Sequence, residues 1–225
     1  MPKPIYDITP FSALDYPDKT ACIIWFAGCN MRCGYCYNPA IVEGKGRLHY
    51  ADALEFLKRR QGLLDGVVLS GGECMLHKGL EDFAEAVKSL GLLVKIDTNG
   101  SRPEKLKAMI GKKLVDYVAL DFKAPPKTFK EITASNLFKC FDNSLDLLLD
   151  ADIPFEVRTT YHSDLHPIDD LQEMADFLSH KGYKGNYFIQ NFVADTPTLG
   201  GLQSSIPWKA NMSLNSPFPL ILRNR

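Results

Sequence analysis

The sequence predicts an α/β fold in which a parallel sheet is covered by helices on its outside. Six short apolar runs are rich in β-branched and aromatic residues, which is typical of strands buried on both faces. Between them lie segments with apolar residues at helical spacing, and the connections are short. This alternation indicates parallel strands joined by right-handed crossovers. Because six units are too few to close an eight-unit barrel, we expect a partial (βα)6 barrel, with a doubly wound flat sheet as the alternative.

Each element has its own signals in the chain. Residues 5–18 contain Pro10 and Pro17, and we expect an irregular arm with short extended pieces there. Proline at position 103 suits the first turn of a helix, and basic residues end the first helix, where they complement its dipole. The strands are expected at residues 20–27, 66–70, 92–97, 117–122, 155–160 and 186–190, and the helices at 51–60, 79–90, 103–110, 143–151 and 167–181.

The length and composition suit a single domain over residues 1–225 with a sizeable core, since 45% of the residues are hydrophobic. We place that core at about 18–192 and treat 203–225 as a C-terminal extension of unknown role. The formal net charge is −1, so no overall field attracts nucleic acid or anionic lipid, and no feature favours a nucleic-acid partner.

The cysteine usage and the N-terminus indicate a cytoplasmic protein without a membrane partner. The first residues lack the charged start and apolar run of a secretory signal, and no apolar stretch approaches the length of a transmembrane helix. Three of the six cysteines are crowded into one octapeptide, which is unlike a secreted disulfide framework. We therefore expect a reducing compartment.

The most informative stretch follows the first predicted strand. Cys29, Cys33 and Cys36 have the spacing C-x3-C-x2-C on the loop that leaves the carboxyl end of that strand. Three thiolates cannot complete a tetrahedral zinc site alone, but they can hold three irons of a cubane iron–sulfur cluster and leave the fourth iron open. The spacing alone leaves open a zinc site completed by a distant residue, a disulfide with a spare thiol, and unrelated cysteines.

Polar side chains follow the carboxyl ends of all six predicted strands. Because these ends meet at one edge of a parallel sheet, the side chains describe a ring of polar groups around one cavity mouth. After the cysteines, the members of this ring are Gly71, Gly72, Glu73, Asp97, Thr98, Asp121, Lys123, Arg158 and Gln190.

The second strand ends in Gly71 and Gly72, which either let the backbone approach a ligand or form a plain tight turn. Glu73 offers an anionic acceptor for an ammonium group. The next residue, Cys74, is interpreted as a chance thiol or a functional one.

The charged strand ends also have alternatives. Asp97 could be a cap or turn residue, or could hold a hard cation together with Asp121. Asp121 could instead pair with Lys123. Arg158 could clamp a carboxylate or neutralise a neighbouring acid.

The remaining cysteines and histidines show no close-spaced metal pattern. Cys22 and Cys140 are expected to be structural. Only His162 is expected near the cavity mouth, and surface positions are expected for His49, His77, His166 and His180.

These motifs resemble the radical S-adenosylmethionine (SAM) enzymes, whose signature is C-x3-C-x2-C, whose second strand is followed by Gly-Gly-Glu, and whose fold is a six-unit partial barrel. The stretches ITPFSALDYPDKTACIIWFAGCNMRCGYCYNP, VVLSGGE, KIDTNGS and VDYVALDFKAP are similar to glycyl-radical-enzyme activases, in particular the activating proteins of anaerobic ribonucleoside-triphosphate reductase. The likeness covers most of residues 5–126, with fragments to about 192. Cys74 stands where the family usually has proline, and 203–225 show no clear match.

The resemblance implies a role for each motif. Cys29, Cys33 and Cys36 would hold a [4Fe–4S] cluster whose unique iron is chelated by SAM. Residues 71–73 would bind the methionine amino group, and Tyr35 would lie near the adenine. Lys123, Arg158 and Gln190 would border the cofactor pocket, and a monovalent cation beside the cofactor carboxylate would be bound by Asp97, Thr98 and Asp121.

The implied activity is that of a radical SAM oxidoreductase which generates a glycyl radical on a partner enzyme, with an anaerobic ribonucleotide reductase as the expected partner. A flavodoxin or ferredoxin-type protein would supply the electron. Two alternatives stay open at this point. One is a radical SAM enzyme that acts on a small molecule or a nucleobase. The other is a non-catalytic iron–sulfur or zinc module, which explains the cysteines but not Glu73, Asp97 and Asp121.

Overall fold

The computed structural model describes residues 3–194, 196–209 and 214–223, and they fold into two compact units, each formed by discontinuous segments. The strands are β1 (Ile5–Ser12), β2 (Ala21–Phe26), β3 (Gly66–Gly71), β4 (Leu93–Thr98), β5 (Tyr117–Asp121), β6 (Phe155–Tyr161), β7 (Tyr187–Asn191) and β8 (Leu220–Arg223). The α-helices are α1 (Pro39–Val42), α2 (Tyr50–Lys58), α3 (Leu80–Ser89), α4 (Pro103–Gly111), α5 (Phe129–Thr133), α6 (Phe138–Asp150) and α7 (Ile168–His180).

The first unit comprises Met1–Asn30, Ala40–Thr98 and Arg102–Ala119. Its strands β2, β3 and β4 are parallel neighbours, with Ala21 opposite Gly66 and Gly66 opposite Leu93. Five of the six residues of β2 are buried, as expected for a strand with side chains packed on both faces. The parallel pairing places the ends of β2, β3 and β4 at the same edge within this unit.

The arm predicted at residues 5–18 is more regular over its first half than expected, because one strand replaces the short extended pieces. Residues 5–12 form β1, which pairs antiparallel with β2 and places Ile5 opposite Phe26. The strand has register shifts and alternates poorly between buried and exposed positions. Pro10 is tolerated because β1 lies at the edge of the strand order, where a missing N–H group need not break a ladder. An edge strand of this kind carries little periodic signal in its sequence.

The second unit comprises Met31–Pro39, Asn99–Ser101 and Leu120–Arg225. Its strands β6, β7 and β8 are parallel neighbours in sequence order. Helix α6 begins five residues before the predicted start at 143, because Phe138 and Phe141 extend its apolar stripe. The Phe141 ring stacks on that of Phe122, with centroids 4.6 Å apart. Among the described residues, this aromatic core packs α6 against the end of β5.

The predicted C-terminal extension contributes a strand. Of residues 203–225, positions 210–213, 224 and 225 lie outside the described residues, and Leu220–Arg223 form β8 beside β7. The Arg223 guanidinium donates to both carboxylate oxygens of Glu156, at 2.9 and 3.0 Å, and lies over the Phe188 ring. A bidentate contact to a buried carboxylate anchors this strand to its unit.

The α/β class with parallel strands and intervening helices is confirmed, and the predicted strands match the observed ones within two residues at each end. None of the helices within the described ranges is long and apolar enough to cross a membrane.

Candidate functional site

The Gly-Gly-Glu turn is hydrogen-bonded to the segment that leads into the cysteine motif. Gly72 N donates to Phe26 O, and Glu73 N donates to Gly28 O, both at 2.9 Å. Gly71 has φ +122°, a conformation that side-chain-bearing residues rarely adopt. The close backbone approach therefore sets the turn after β3 directly against Cys29, the first cysteine of the motif.

Replacing Gly72 with alanine is expected to disturb Cys29. An added Cβ would overlap the carbonyl group of Gly28 and lie 3.1 Å from the Cβ of Cys29. We expect Gly72→Ala to cost about 1–3 kcal/mol in the free energy of unfolding, as overpacking does, and to lower the iron bound per chain after anaerobic reconstitution. Urea denaturation and iron and sulfide analysis measure the two effects.

The matched control is Gly111→Ala. Gly111 ends α4, and an added Cβ there would meet nothing within 4 Å. It should change the free energy of unfolding by less than about 1 kcal/mol and leave the iron content unchanged. Equal iron contents in the two variants would contradict the proposed coupling between the turn and Cys29.

Glu73 is turned into the protein. Its side chain is 1% exposed, and its Oε1 accepts from Thr98 Oγ1 at 2.9 Å and from Met75 N at 3.0 Å. The second contact caps a short 3-10 helix, Cys74–Leu76. In these contacts Glu73 links the ends of β3 and β4. The role of Glu73 toward an ammonium group stays a prediction.

Asp97 is paired with a lysine that the sequence analysis did not single out. Lys95 Nζ lies 2.5 Å from Asp97 Oδ1, and the lysine side chain is 2% exposed. Ser70 Oγ donates to the other oxygen of Asp97 at 3.3 Å. The spacing of Lys95 and Asp97 could have predicted this pair, because residues two apart on a strand lie on the same face.

Cys74 packs beneath the same turn. It is fully buried, and its Sγ donates to Asp97 O at 3.7 Å. Burial raises the pKa of Cys74 well above its usual value, with a further contribution from the charge of Glu73. A protonated thiol in this position is a poor nucleophile and fits a structural role.

The loop that carries Cys33 and Cys36 is held by backbone contacts within the second unit. Arg32 N donates to Thr133 O at 2.8 Å. From the other side, Leu199 N donates to Cys36 O at 3.0 Å, and Gly200 N donates to Gly34 O at 2.8 Å. The segment around residues 199–200 thus restrains the cysteine loop, a contact that no pattern in the sequence predicts.

Two features of the surroundings of Cys33 act on the pKa of its thiol in opposite directions. Burial raises the pKa of the Cys33 thiol, while the ammonium of Lys123 acts in the opposite direction. Burial dominates, so the pKa of Cys33 is raised overall. Because iron is bound by thiolates, the charge of Lys123 lessens the cost of forming the state of Cys33 that a cluster needs.

Tyr35 is buried between Lys123 and His166. Its hydroxyl lies 3.5 Å from Lys123 O, the Lys123 ammonium lies 5.9 Å from its ring centroid, and the His166 ring is at 5.8 Å. These contacts fix the ring beside Cys36. The proximity of Tyr35 to an adenine stays a prediction.

Asp121 is the centre of a partly buried ion network in the second unit. Arg158 Nε lies 2.5 Å from its Oδ1, and Lys123 Nζ lies 2.9 Å from its Oδ2. Burial acts to raise the pKa of Asp121, but the charges of Arg158 and Lys123 hold it well below its usual range. Asp121 therefore pairs with Lys123, and Arg158 neutralises the same carboxylate. Both arrangements were among the alternatives that the sequence left open.

The surface position predicted for His166 is wrong. His166 is fully buried, and its Nε2 lies 2.9 Å from Lys123 O. The backbone between the two histidines folds back, since His166 N donates to His162 O at 2.9 Å. Burial lowers the pKa of both rings, so both are neutral near pH 7. No local pattern in the sequence signals this turn.

Gln190 lies on β7, where it is 8% exposed and stands opposite Thr160 of β6 and Arg223 of β8. Its place near the carboxyl end of its strand agrees with the predicted ring of polar strand ends. A contact between Gln190 and a cofactor stays a prediction.

The donor set of the cysteine motif fits a cubane cluster. Cys29 belongs to the first unit, and Cys33 and Cys36 belong to the second. Across the described parts of the chain, no three His, Cys, Asp or Glu side chains converge as a site for one metal ion would require. The fit rests on the chemistry of the donors, because cysteine thiolates are the usual ligands of a cubane and each binds a different iron. Within the first unit, no side chain at Gly72 obstructs the backbone beside Cys29.

Comparison with known proteins finds similarity to the same family that the sequence motifs resemble. Residues 23–179 match the family described as the Radical SAM superfamily. A protein of Methanocaldococcus jannaschii, provisionally named a glycyl-radical enzyme activating enzyme, is 33% identical over 75% of this chain and 72% of its own length. A 7-carboxy-7-deazaguanine synthase of Methanopyrus kandleri is 31% identical over 44% of this chain and 48% of its own.

Among solved structures, Streptococcus suis SuiB bound to S-adenosylmethionine has a TM-score of 0.64 at 15% identity, covering 81% of this chain and 44% of SuiB. This likeness supports the fold. The chain thus spans most of the first relative but less than half of the synthase and of SuiB.

Proposed function

Since the chain belongs to the radical SAM superfamily, we propose that it is an activase, which reductively cleaves SAM at a [4Fe–4S] cluster and generates a glycyl radical on a partner enzyme. The partner we expect is an anaerobic ribonucleotide reductase. The observation that carries the proposal is the likeness to an activating enzyme over about three quarters of both chains. The family membership itself implies the cluster and SAM.

Each cysteine of the motif would hold one iron of the cluster. When bound, the cluster and SAM supply a one-electron cleavage of the sulfonium and a carbon radical that abstracts hydrogen. The backbone at Gly71 and Gly72 permits close approach to Cys29, because no side chain intervenes. On the second unit, the buried Tyr35 and His166 keep water from the loop that carries Cys33 and Cys36.

The charged groups provide fixed electrostatics. Lys123 and Arg158 are oriented by Asp121, so their donors need not reorganise when an anionic group binds. Their rigid placement fits recognition of the carboxylate of SAM in the pocket that the resemblance implies.

A second candidate function is chemistry on a small molecule. The likeness to a 7-carboxy-7-deazaguanine synthase favours it, although this match covers less of both chains than the match with the activating enzyme. The two candidates share the cluster and SAM and differ in the molecule that loses hydrogen.

The test identifies which molecule loses the hydrogen atom that is transferred to 5′-deoxyadenosine. The protein is reconstituted anaerobically and incubated with SAM, dithionite and an anaerobic ribonucleotide reductase whose glycines carry deuterium at Cα. We expect one deuterium in 5′-deoxyadenosine and a glycyl signal in electron paramagnetic resonance. Unlabelled 5′-deoxyadenosine without a glycyl signal would argue against this partner. Deuterium transfer only from labelled small molecules would support the second candidate.

A further inference from the structure

Lys95 is a fully buried lysine in the interior of a parallel strand. Its side chain is 2% exposed, whereas lysine is almost never fully buried unless it is paired. The pairing carboxylate is Asp97, two residues further along β4, with Nζ 2.5 Å from Oδ1. Burying two charges costs free energy that apolar residues would not cost, so the pair calls for a reason beyond stability.

The position of the pair suggests that reason. Asp97 also accepts from Ser70, the residue before the Gly-Gly-Glu turn, and its carbonyl accepts from Cys74, the residue after it. The Gly-Gly-Glu turn is itself hydrogen-bonded to Gly28 and lies against Cys29. A chain of direct contacts within the first unit therefore joins the Lys95 ammonium to the start of the cysteine motif.

The residues expected to bind a monovalent cation do not fit that role. Asp97 is already neutralised by Lys95. In the second unit, Asp121 is already paired with Lys123 and Arg158. An alkali cation needs several oxygen ligands, and a carboxylate whose charge is already compensated attracts it only weakly. Here each of the two aspartates faces at least one cation of the protein.

We propose that the Lys95 ammonium takes the place of the monovalent cation, so that binding of SAM by this protein requires no added alkali metal ion. An ammonium group carries the same single charge as K⁺ and can donate three hydrogen bonds. Because it is covalently tethered, its binding loses no translational freedom. The inference concerns the cofactor alone and is independent of which molecule loses hydrogen.

The experiment compares SAM binding by the cluster-loaded protein in chloride salts of K⁺, Na⁺ and tetramethylammonium at equal ionic strength. We expect the dissociation constant of the wild type to vary by less than about twofold, since linkage requires a differential contact. Lys95→Met should bind SAM at least about tenfold more weakly in tetramethylammonium and recover in K⁺, within the range typical of coupled ligands.

Two results would overturn the proposal. One is a wild type whose affinity for SAM rises about fivefold or more in K⁺, a coupling that only a bound cation would produce. The other is a Lys95→Met protein that binds SAM weakly in all three salts, which would make Lys95 a purely structural residue.

Lys88→Met is the matched control. Lys88 belongs to the same unit and pairs with Asp116 at 2.6 Å, but both side chains are partly exposed and the pair lies outside the contacts described above. The Lys88→Met protein should bind SAM like the wild type in every salt.

If Lys95→Met fails to fold, the double variant Lys95→Met, Asp97→Asn removes both buried charges. The double variant should bind SAM weakly, without response to K⁺. Cleavage of SAM without hydrogen loss from the partner would refute the activase proposal and leave the salt results intact.

Discussion

Substitution of Cys33 by serine is expected to abolish cleavage of SAM. After anaerobic reconstitution with iron and sulfide, formation of 5′-deoxyadenosine should fall by at least about 10³-fold, as when one member of an interdependent catalytic set is removed. The physical reason is that serine cannot replace a thiolate ligand, so the cluster that delivers the electron is lost. Chromatography of the nucleoside product and the absorption spectrum of the cluster measure the two losses.

Cys140→Ser is the control for the same chemical change. Cys140 lies on α6, away from the motif in the sequence, and is only partly buried. This variant should retain both the cluster spectrum and the activity. A Cys33→Ser protein with full activity would disprove the assignment of the motif, and a Cys140→Ser protein without a cluster would show that the loss is not specific to it.

Asp121→Asn is expected to lower the stability of the protein, because Asp121 is the shared partner of two cationic side chains. The substitution leaves Lys123 and Arg158 without their partly buried counter-charge. Because the Asp121 side chain is 21% exposed, we expect a cost of about 1–3 kcal/mol, between that of an exposed pair and that of a fully buried one. Urea denaturation at pH 7 measures the change in the free energy of unfolding. The matched exposed pair, Arg59 with Glu55, should contribute no more than about 1 kcal/mol when Glu55 is replaced by glutamine.

The ion pairs of Asp121 also predict how the stability of the protein depends on pH in acid. The pKa of Asp121 is lower in the folded protein than in the unfolded chain, so its contribution to stability is fully present above the unfolded pKa of about 3.9 and is lost as the pH falls through the folded value. The difference in stability between wild type and Asp121→Asn should therefore shrink below about pH 4. A difference that stays constant into that range would show that Asp121 is not the titrating group.

Several features could be predicted because they depend on local periodicity. The strands β2 to β7 are rich in apolar, β-branched and aromatic residues, and within each unit the parallel pairing follows from the intervening helices. The edge strand β1 could not be predicted in this way. Its buried and exposed positions do not alternate regularly, it contains Pro10, and it takes its strand conformation from pairing with β2.

The identities of the candidate site residues could also be predicted, but their partners could not. Asp121 and Arg158 are 37 positions apart, and no pattern in the chain links them. Glu73 ends its strand as expected, yet its side chain turns inward to Thr98 instead of remaining open. His166 is buried because its ring meets the backbone of a distant segment at Lys123.

The sequence by itself determined the α/β class, the spacing of Cys29, Cys33 and Cys36, and the placement of polar residues after buried strands. Hydrophobic period and residue spacing are properties of the chain alone. Only the tertiary structure decided which charges neutralise each other, above all that Asp97 belongs to Lys95. A buried charge is stable only beside a counter-charge, and whether a group is buried depends on segments that folding brings together.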